Sequence, residues 1–152
     1  MIYRAFGAAD ALKTTSELVR VARRHGLVVL IGADLALARR SGADGVHLPE
    51  RMVRRAPAIR ARHPLWLITG AAHSNRALRT AGRAGLDAVL LSVVFESASP
   101  SAGRAMGPVR FAGLVRQAAL PVIALGGVNN KTAPRLSASG AAGLAAVDGL
   151  SP

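Results

Sequence analysis

A short pattern occurs three times in this chain: small residues closing a helix, a glycine-containing turn, then a brief apolar strand. It reads Ser41-Gly42-Ala43-Asp44-Gly45-Val46-His47-Leu48, then Ala84-Gly85-Leu86-Asp87-Ala88-Val89-Leu90-Leu91, then Ser139-Gly140-Ala141-Ala142-Gly143-Leu144-Ala145-Ala146-Val147. Glycine accommodates the left-handed residue that ends a helix, and a continuously apolar strand must be covered on both faces, as in parallel α/β folds. The chain therefore reads as serial strand–helix units. Such folds place ligands beyond the carboxyl ends of their strands, which is where chemistry is sought.

Periodicity supplies the units between. Strands are expected over 2–6, 27–31, 45–48, 66–69, 88–95, 121–125 and 143–147. Thr14-x-x-Glu17 reads as a capping box opening a helix that presents Leu18, Val21, Ala22 and His25 on one face and ends at Gly26. Further helices are expected over 34–40, over 51–62 with Pro57 inside, and from a Ser74 cap through Ala84. Pro108 suits the first turn of another, with Phe111, Leu114, Val115 and Ala118 on one face, and Asn129 or Asn130 caps a last one ending at Gly140. The one long loop is 96–107. No Pro- or Ser-rich linker divides the 152 residues, so a single α/β domain is expected, of (β/α)8 TIM-barrel-like class with seven parallel strands. That is one strand short of closure. The first and last strands should leave a gap whose open edges favour self-association into a homo-oligomer.

Composition excludes several classes. Without cysteine there are no disulfides, no thiolate nucleophile and no cysteine-built zinc site, and a reducing cytosol is compatible. The apolar runs are far below the roughly 18 residues that span a bilayer, and Met1-Ile2-Tyr3-Arg4 does not begin a signal peptide, so a soluble cytoplasmic protein is expected. The net charge of +12 would suit nucleic acid. Yet the basic residues, all arginine except Lys13 and Lys131, are spread along the chain, and aromatics for base stacking are 3%. An arginine-rich solvated helix layer is the simpler reading; nucleic-acid binding would require the arginines to gather on one face.

Four motifs occur in a telling order: Gly42-Ala43-Asp44-Gly45-Val46-His47-Leu48, the Ala72-His73-Ser74 turn, Ser92-Val93-Val94-Phe95 before a serine-rich loop, and Ala124-Leu125-Gly126-Gly127-Val128. Together they resemble the thiamine phosphate synthase/TenI family of TIM barrels, over residues 1–150. The match begins at the family's second strand, leaving the first βα unit and the final helix of the family pattern outside it. The resemblance implies joining a pyrimidine methyl diphosphate to a thiazole phosphate, with release of pyrophosphate assisted by Mg²⁺.

The family's functional positions carry over unevenly. Its Gln-x-Arg-x-Lys strand falls on Ile2-Tyr3-Arg4-Ala5-Phe6, keeping Arg4. Its Asn-Asp pair falls near residues 30–34, leaving Asp34 as the metal candidate. After Val46-His47-Leu48 the family has Gly-Gln and a metal-binding Asp, where this chain has Pro49-Glu50-Arg51-Met52. Gly-x-Ser-x-His becomes Thr69-Gly70-Ala71-Ala72-His73, which keeps the histidine. The Gly-Pro-Val-Phe-x-Thr-x-Thr-Lys loop becomes residues 92–100, where Ser97 and Ser99 keep hydroxyls and Pro100 replaces lysine. The tautomerase branch carries a histidine where Val93 stands. Gly126 and Gly127 match the phosphate-facing glycines, and Asp148 stands where the family has serine, opposing an anion.

The resemblance thus implies His73 as general acid or base, Arg4 with Gly126 and Gly127 as anion holders, and Ser97, Ser99 and His47 as ligand contacts. Each has a plainer alternative. His73 suits a helix-entry hydrogen bond, Arg4 could pair with Asp34 or Glu50, Ser97 and Ser99 suit a polar loop, and Glu50 suits a helix opening. His47 alternates with Val46 and Leu48 and is expected to face the barrel interior. With the acidic positions so reduced, no ordered Mg²⁺ is expected without bound pyrophosphate. Two functional classes follow: a thiamine phosphate synthase-like transferase, and a non-catalytic or tautomerase-like protein binding a thiazole or pyrimidine phosphate.

Overall fold

The helix-ending glycines of the repeat take the left-handed backbone expected of them. Gly42 and Gly85 have φ of 69° and 68° in the computed structural model, which describes residues 1–5, 7–97 and 103–147. Each glycine turns the chain from a helix into the next strand. Seven strands result: β1 Ile2–Tyr3, β2 Leu30–Gly32, β3 Gly45–Leu48, β4 Leu67–Ala72, β5 Ala88–Leu91, β6 Val122–Ala124 and β7 Gly143–Leu144. They are all parallel and lie in chain order, each hydrogen-bonded to its sequence neighbours. The sheet is thus an open barrel of TIM type, with β1 and β7 at its edges.

The repeat also fixes the register. The residue before each strand donates its N–H to the preceding strand's line: Asp44 to Val29 O at 2.9 Å, Asp87 to Ile68 O at 2.9 Å, Ala142 to Val122 O at 2.8 Å. In the first two repeats the aspartate side chain closes the same corner from the other side. Asp44 Oδ2 accepts the Val29 N–H at 2.8 Å, and Asp87 Oδ2 accepts the Ile68 N–H at 2.6 Å. Each pair of strands is therefore pinned by two bonds at one residue, which a one-residue slip would break. The third repeat has Ala142 at this position and keeps only the backbone bond.

Alternation along the strands separates two faces. Ile31, Val46, Ile68 and Val89 are fully buried on the convex face, in one core with Val19, Leu37, Leu78 and Phe111 from the helices. The covering layer is α1 Ala11–Arg24, α2 Leu35–Ser41, the 3-10 helix Glu50–Arg55, α3 Ala56–Arg62, α4 Asn75–Arg83 and α5 Pro108–Gln117. The concave face carries Leu30, His47, Thr69 and Leu90. Leu67, in the same row as Leu30, is 40% exposed. No helix among the described residues is long and apolar enough to cross a membrane.

Several boundaries differ from the sequence reading. Helix α1 begins at Ala11, so Thr14 and Glu17 lie inside it; Thr14 Oγ1 bonds the Asp10 carboxylate at 3.0 Å, and the buried stripe is Thr15, Val19 and Ala22 rather than Val21 and His25. Residues 51–62 divide into the 3-10 helix and α3 because Pro57, lacking an N–H, is tolerated only in a first turn. Strand β5 stops at Leu91, where the chain peels across the end of β6: Val94 N–H bonds Leu125 O and Phe95 N–H bonds Gly126 O. The last expected helix is only a 3-10 turn, Ala133–Leu136, containing Pro134. Asn129 forms a local turn, accepting the Lys131 and Thr132 N–H groups, instead of capping an α-helix.

Replacing Asp87 by alanine strands the N–H of fully buried Ile68. We expect Asp87→Ala to cost about 1–3 kcal/mol, read as a lower urea midpoint. The exposed Asp10→Ala should cost less; equal effects would refute the corner's role.

Candidate functional site

Two groups of side chains sit at the carboxyl end of the sheet. The first is built by register. Gly32, His47 and Thr69 pair across β2, β3 and β4, so their side-chain positions share one row of the concave face. Arg4 follows β1, and Gly32 makes room for it: a Cβ on Gly32 would lie 2.7 Å from Arg4 Cγ. His47 Nδ1 and Thr69 Oγ1 are 3.0 Å apart. Burial, with the Arg4 charge adding, lowers the His47 imidazole from 6.5 to about 4. His47 is therefore a neutral donor–acceptor at physiological pH, beside a permanent cation.

The second group spans the ends of β4, β5 and β6. His73 Nδ1 lies 3.1 Å from both Ser92 O and Ser92 Oγ. A carbonyl can only accept, so the bond to Ser92 O requires the proton on Nδ1, the tautomer that leaves the lone pair on Nε2. The His73 backbone N–H donates to Glu50 Oε2 at 3.0 Å. Beyond Ser92 the chain presses on the glycines after β6. Their φ values are 96° for Gly126 and 62° for Gly127; a Cβ on Gly126 would sit 2.7 Å from Val93 Cγ1, and one on Gly127 would sit 2.2 Å from Glu96 O. Thr132 Oγ1 donates to Gly127 O at 2.8 Å, and Arg135 lies over the Phe95 ring at 5.1 Å, bracing this loop. The N–H groups of Gly126 and Gly127 have no acceptor among the described residues. They form a small pair of unspent donors at a strand end.

The structure assigns other work to several residues singled out from sequence. Asp34 caps α2, accepting the Leu37 N–H at 2.8 Å, and Glu50 both opens its 3-10 helix and holds His73. Neither pairs with Arg4; the ion pair found among the described residues is Arg60–Asp87. Mg²⁺, which the family resemblance implies, finds no matching donor set: among the described residues no three His, Asp or Glu side chains converge. Ser97 is half-buried at the end of a described stretch, while Ser99 and Asp148 lie outside the described residues. Thr69 and Ser92, the partners of the two histidines, were not singled out beforehand. In-register alternation would have suggested Thr69; nothing local signals Ser92.

An open parallel α/β barrel with its polar groups at the strand ends defines a protein of the TIM-barrel class. The thiamine monophosphate synthase family model matches residues 2–150. The chain is 33% identical over 138 residues to a thiamine-phosphate synthase of Thiobacillus denitrificans, covering 89% of this chain and 64% of the relative. It is 31% identical over 140 residues to the bifunctional thiamine biosynthesis protein ThiM/ThiE of Symbiobacterium thermophilum, covering 91% and 29% respectively. A solved thiamine phosphate pyrophosphorylase of Pyrococcus furiosus superposes with a TM-score of 0.82 at 21% identity, covering 96% of this chain and 70% of that one. The chain belongs to the thiamine phosphate synthase/TenI family. It spans about two thirds of the Thiobacillus relative and under a third of the bifunctional one.

Two outcomes test this geometry. The unfolded chain takes a proton on His47 near pH 6.5, whereas the native state resists until about 4. Its contribution is complete above the unfolded value and is lost as pH falls through this window, by about 3 kcal/mol in all. The native protein should therefore lose about 2 kcal/mol more than His47→Gln between pH 7 and pH 5 in urea titrations; parallel profiles would contradict the assignment. Separately, Gly127→Ala should cost at least about 2 kcal/mol through backbone strain and collision. Gly113→Ala, inside α5 and with only Arg116 Nη2 at 4.0 Å, should be neutral or stabilising by about 0.5–1 kcal/mol in the same assay.

Proposed function

We propose that this chain binds a thiazole phosphate of thiamine biosynthesis at the carboxyl end of β6, and that by itself it sustains negligible synthase turnover. The observation that carries the reading is the pair of unspent N–H groups at Gly126 and Gly127, in a loop where no side chain fits. A phosphate monoester is large, anionic and rich in acceptors, and backbone amides freed of side chains can approach it closely. Arg4, after β1 at the same end of the sheet, supplies a cation, with neutral His47 beside it as a hydrogen-bonding wall for a ring.

The synthase reaction forms a bond between the pyrimidine's methylene carbon and the thiazole nitrogen while pyrophosphate departs with the bonding pair. The leaving group gathers negative charge, so the site must meet it with donors in place before the reaction. Here the family's glutamine and first lysine are replaced by Ile2 and Phe6, its second lysine by Pro100 and its serine by Ala71, and its metal-binding aspartate falls within Pro49-Glu50-Arg51-Met52, which holds none. Arg4 is left to meet that charge. Loss of one oriented donor costs about 10²-fold in rate, and several together leave little even allowing for non-additivity. His73 Nε2 remains available to exchange a proton at the mouth.

The test uses the purified chain. Titration with thiazole phosphate should shift the Gly126 and Gly127 amide resonances saturably, while incubation with both substrates yields no more thiamine phosphate than a protein-free control. Absence of those shifts would remove the binding site. Robust turnover that disappears in Arg4→Ala or His73→Ala would overturn the second half.

A further inference from the structure

A cleft of about 540 Å³ opens between the 3-10 helix Glu50–Arg55 and α4, away from the concave face. Arg51, Arg54 and Arg76 line it together with Glu50, Val53 and Ala77. The converging cations follow from backbone geometry. Residues three apart on a 3-10 helix eclipse one another, so Arg51 and Arg54 project from the same side, and Arg76 meets them from the first turn of α4.

These guanidiniums are not neutralised from within. Among the described residues none of the three has a hydrogen-bond or ion-pair partner, and the carboxylate in the cleft, Glu50, already accepts the His73 N–H. Three cations therefore face one committed anion in a concavity whose volume falls in the small-ligand range of about 300–1,000 Å³. A planar guanidinium offers two parallel N–H groups, a match for phosphate oxygens that a point charge lacks.

We propose that this cleft is a second anion site, separate from the Gly126–Gly127 loop, and that its ligand is a phosphate-ester dianion. Three cations against one carboxylate leave an excess of two charges, which such a dianion balances. His73 is shared: it lines this cleft while its ring is bonded to Ser92 at the strand ends, so an anion here would lie beside the base of the candidate site.

The experiment follows arginine Nε–Hε and backbone amide resonances during titration with inorganic phosphate at constant ionic strength. The Arg51, Arg54 and Arg76 signals should move saturably, and Arg54→Ser/Arg76→Ser should weaken the affinity they report at least about tenfold. Arg20→Ser/Arg24→Ser on α1 removes the same charge elsewhere and should change it less than about twofold. Signals that do not move would overturn the proposal, as would equal losses in the two double variants, the mark of diffuse attraction. The Gly126 and Gly127 amides report the other site in the same spectra, so either site can fail independently.

Discussion

Every functional group described here is placed by the way one parallel strand is registered on the next. The corner following each helix-ending glycine does this with the least material: one residue donates its N–H to the preceding strand and, as Asp44 or Asp87, accepts an N–H back through its carboxylate. Parallel strands separated by a helix have no tight turn to set their alignment, so alignment must be enforced at the point of re-entry. Because it is, His47 stands level with Thr69 and Gly32, and Arg4 can lie over the glycine. A slip of one residue would carry His47 from the concave face into the dry helix-packed layer.

That layer and the concave face have different chemistry. The convex side buries Ile31, Val46, Ile68 and Val89 completely, and supplies the apolar burial that holds the sheet. The concave side combines apolar Leu30, Leu67 and Leu90 with a buried histidine and an arginine. A neutral imidazole beside a guanidinium is costly to protonate, so the interior stays a hydrogen-bonding surface rather than a second cation.

The glycines after β6 answer two demands at once. Their positive φ and the closeness of Val93, Phe95 and Glu96 exclude a side chain on packing grounds alone. The N–H groups of the same two residues have no acceptor among the described residues. In the proposed reading this loop is the phosphate contact, and the replaced lysines, glutamine and aspartate leave the rest of the mouth fewer groups to meet a leaving pyrophosphate.

The repeated glycine turns, the seven apolar strands and their parallel class were legible in the sequence, because local backbone preference and apolar runs are written residue by residue. So were His47's direction and the family itself, through motifs whose order survives divergence. Helix termini were less so: Thr14 and Asn129 carry the right chemistry for caps, but one lies inside a helix with its hydroxyl on the Asp10 carboxylate and the other folds into a local turn. What only the tertiary structure decided is partnership. Asp34 and Glu50 could have served a metal or Arg4; packing placed their oxygens on the Leu37 and His73 N–H groups instead. Ser92's grip on His73, and the meeting of Arg51 and Arg54 with Arg76, join residues 19 or more positions apart. Sequence specifies which side chains exist, but contacts of that range depend on strand register and helix placement, which the whole core sets together.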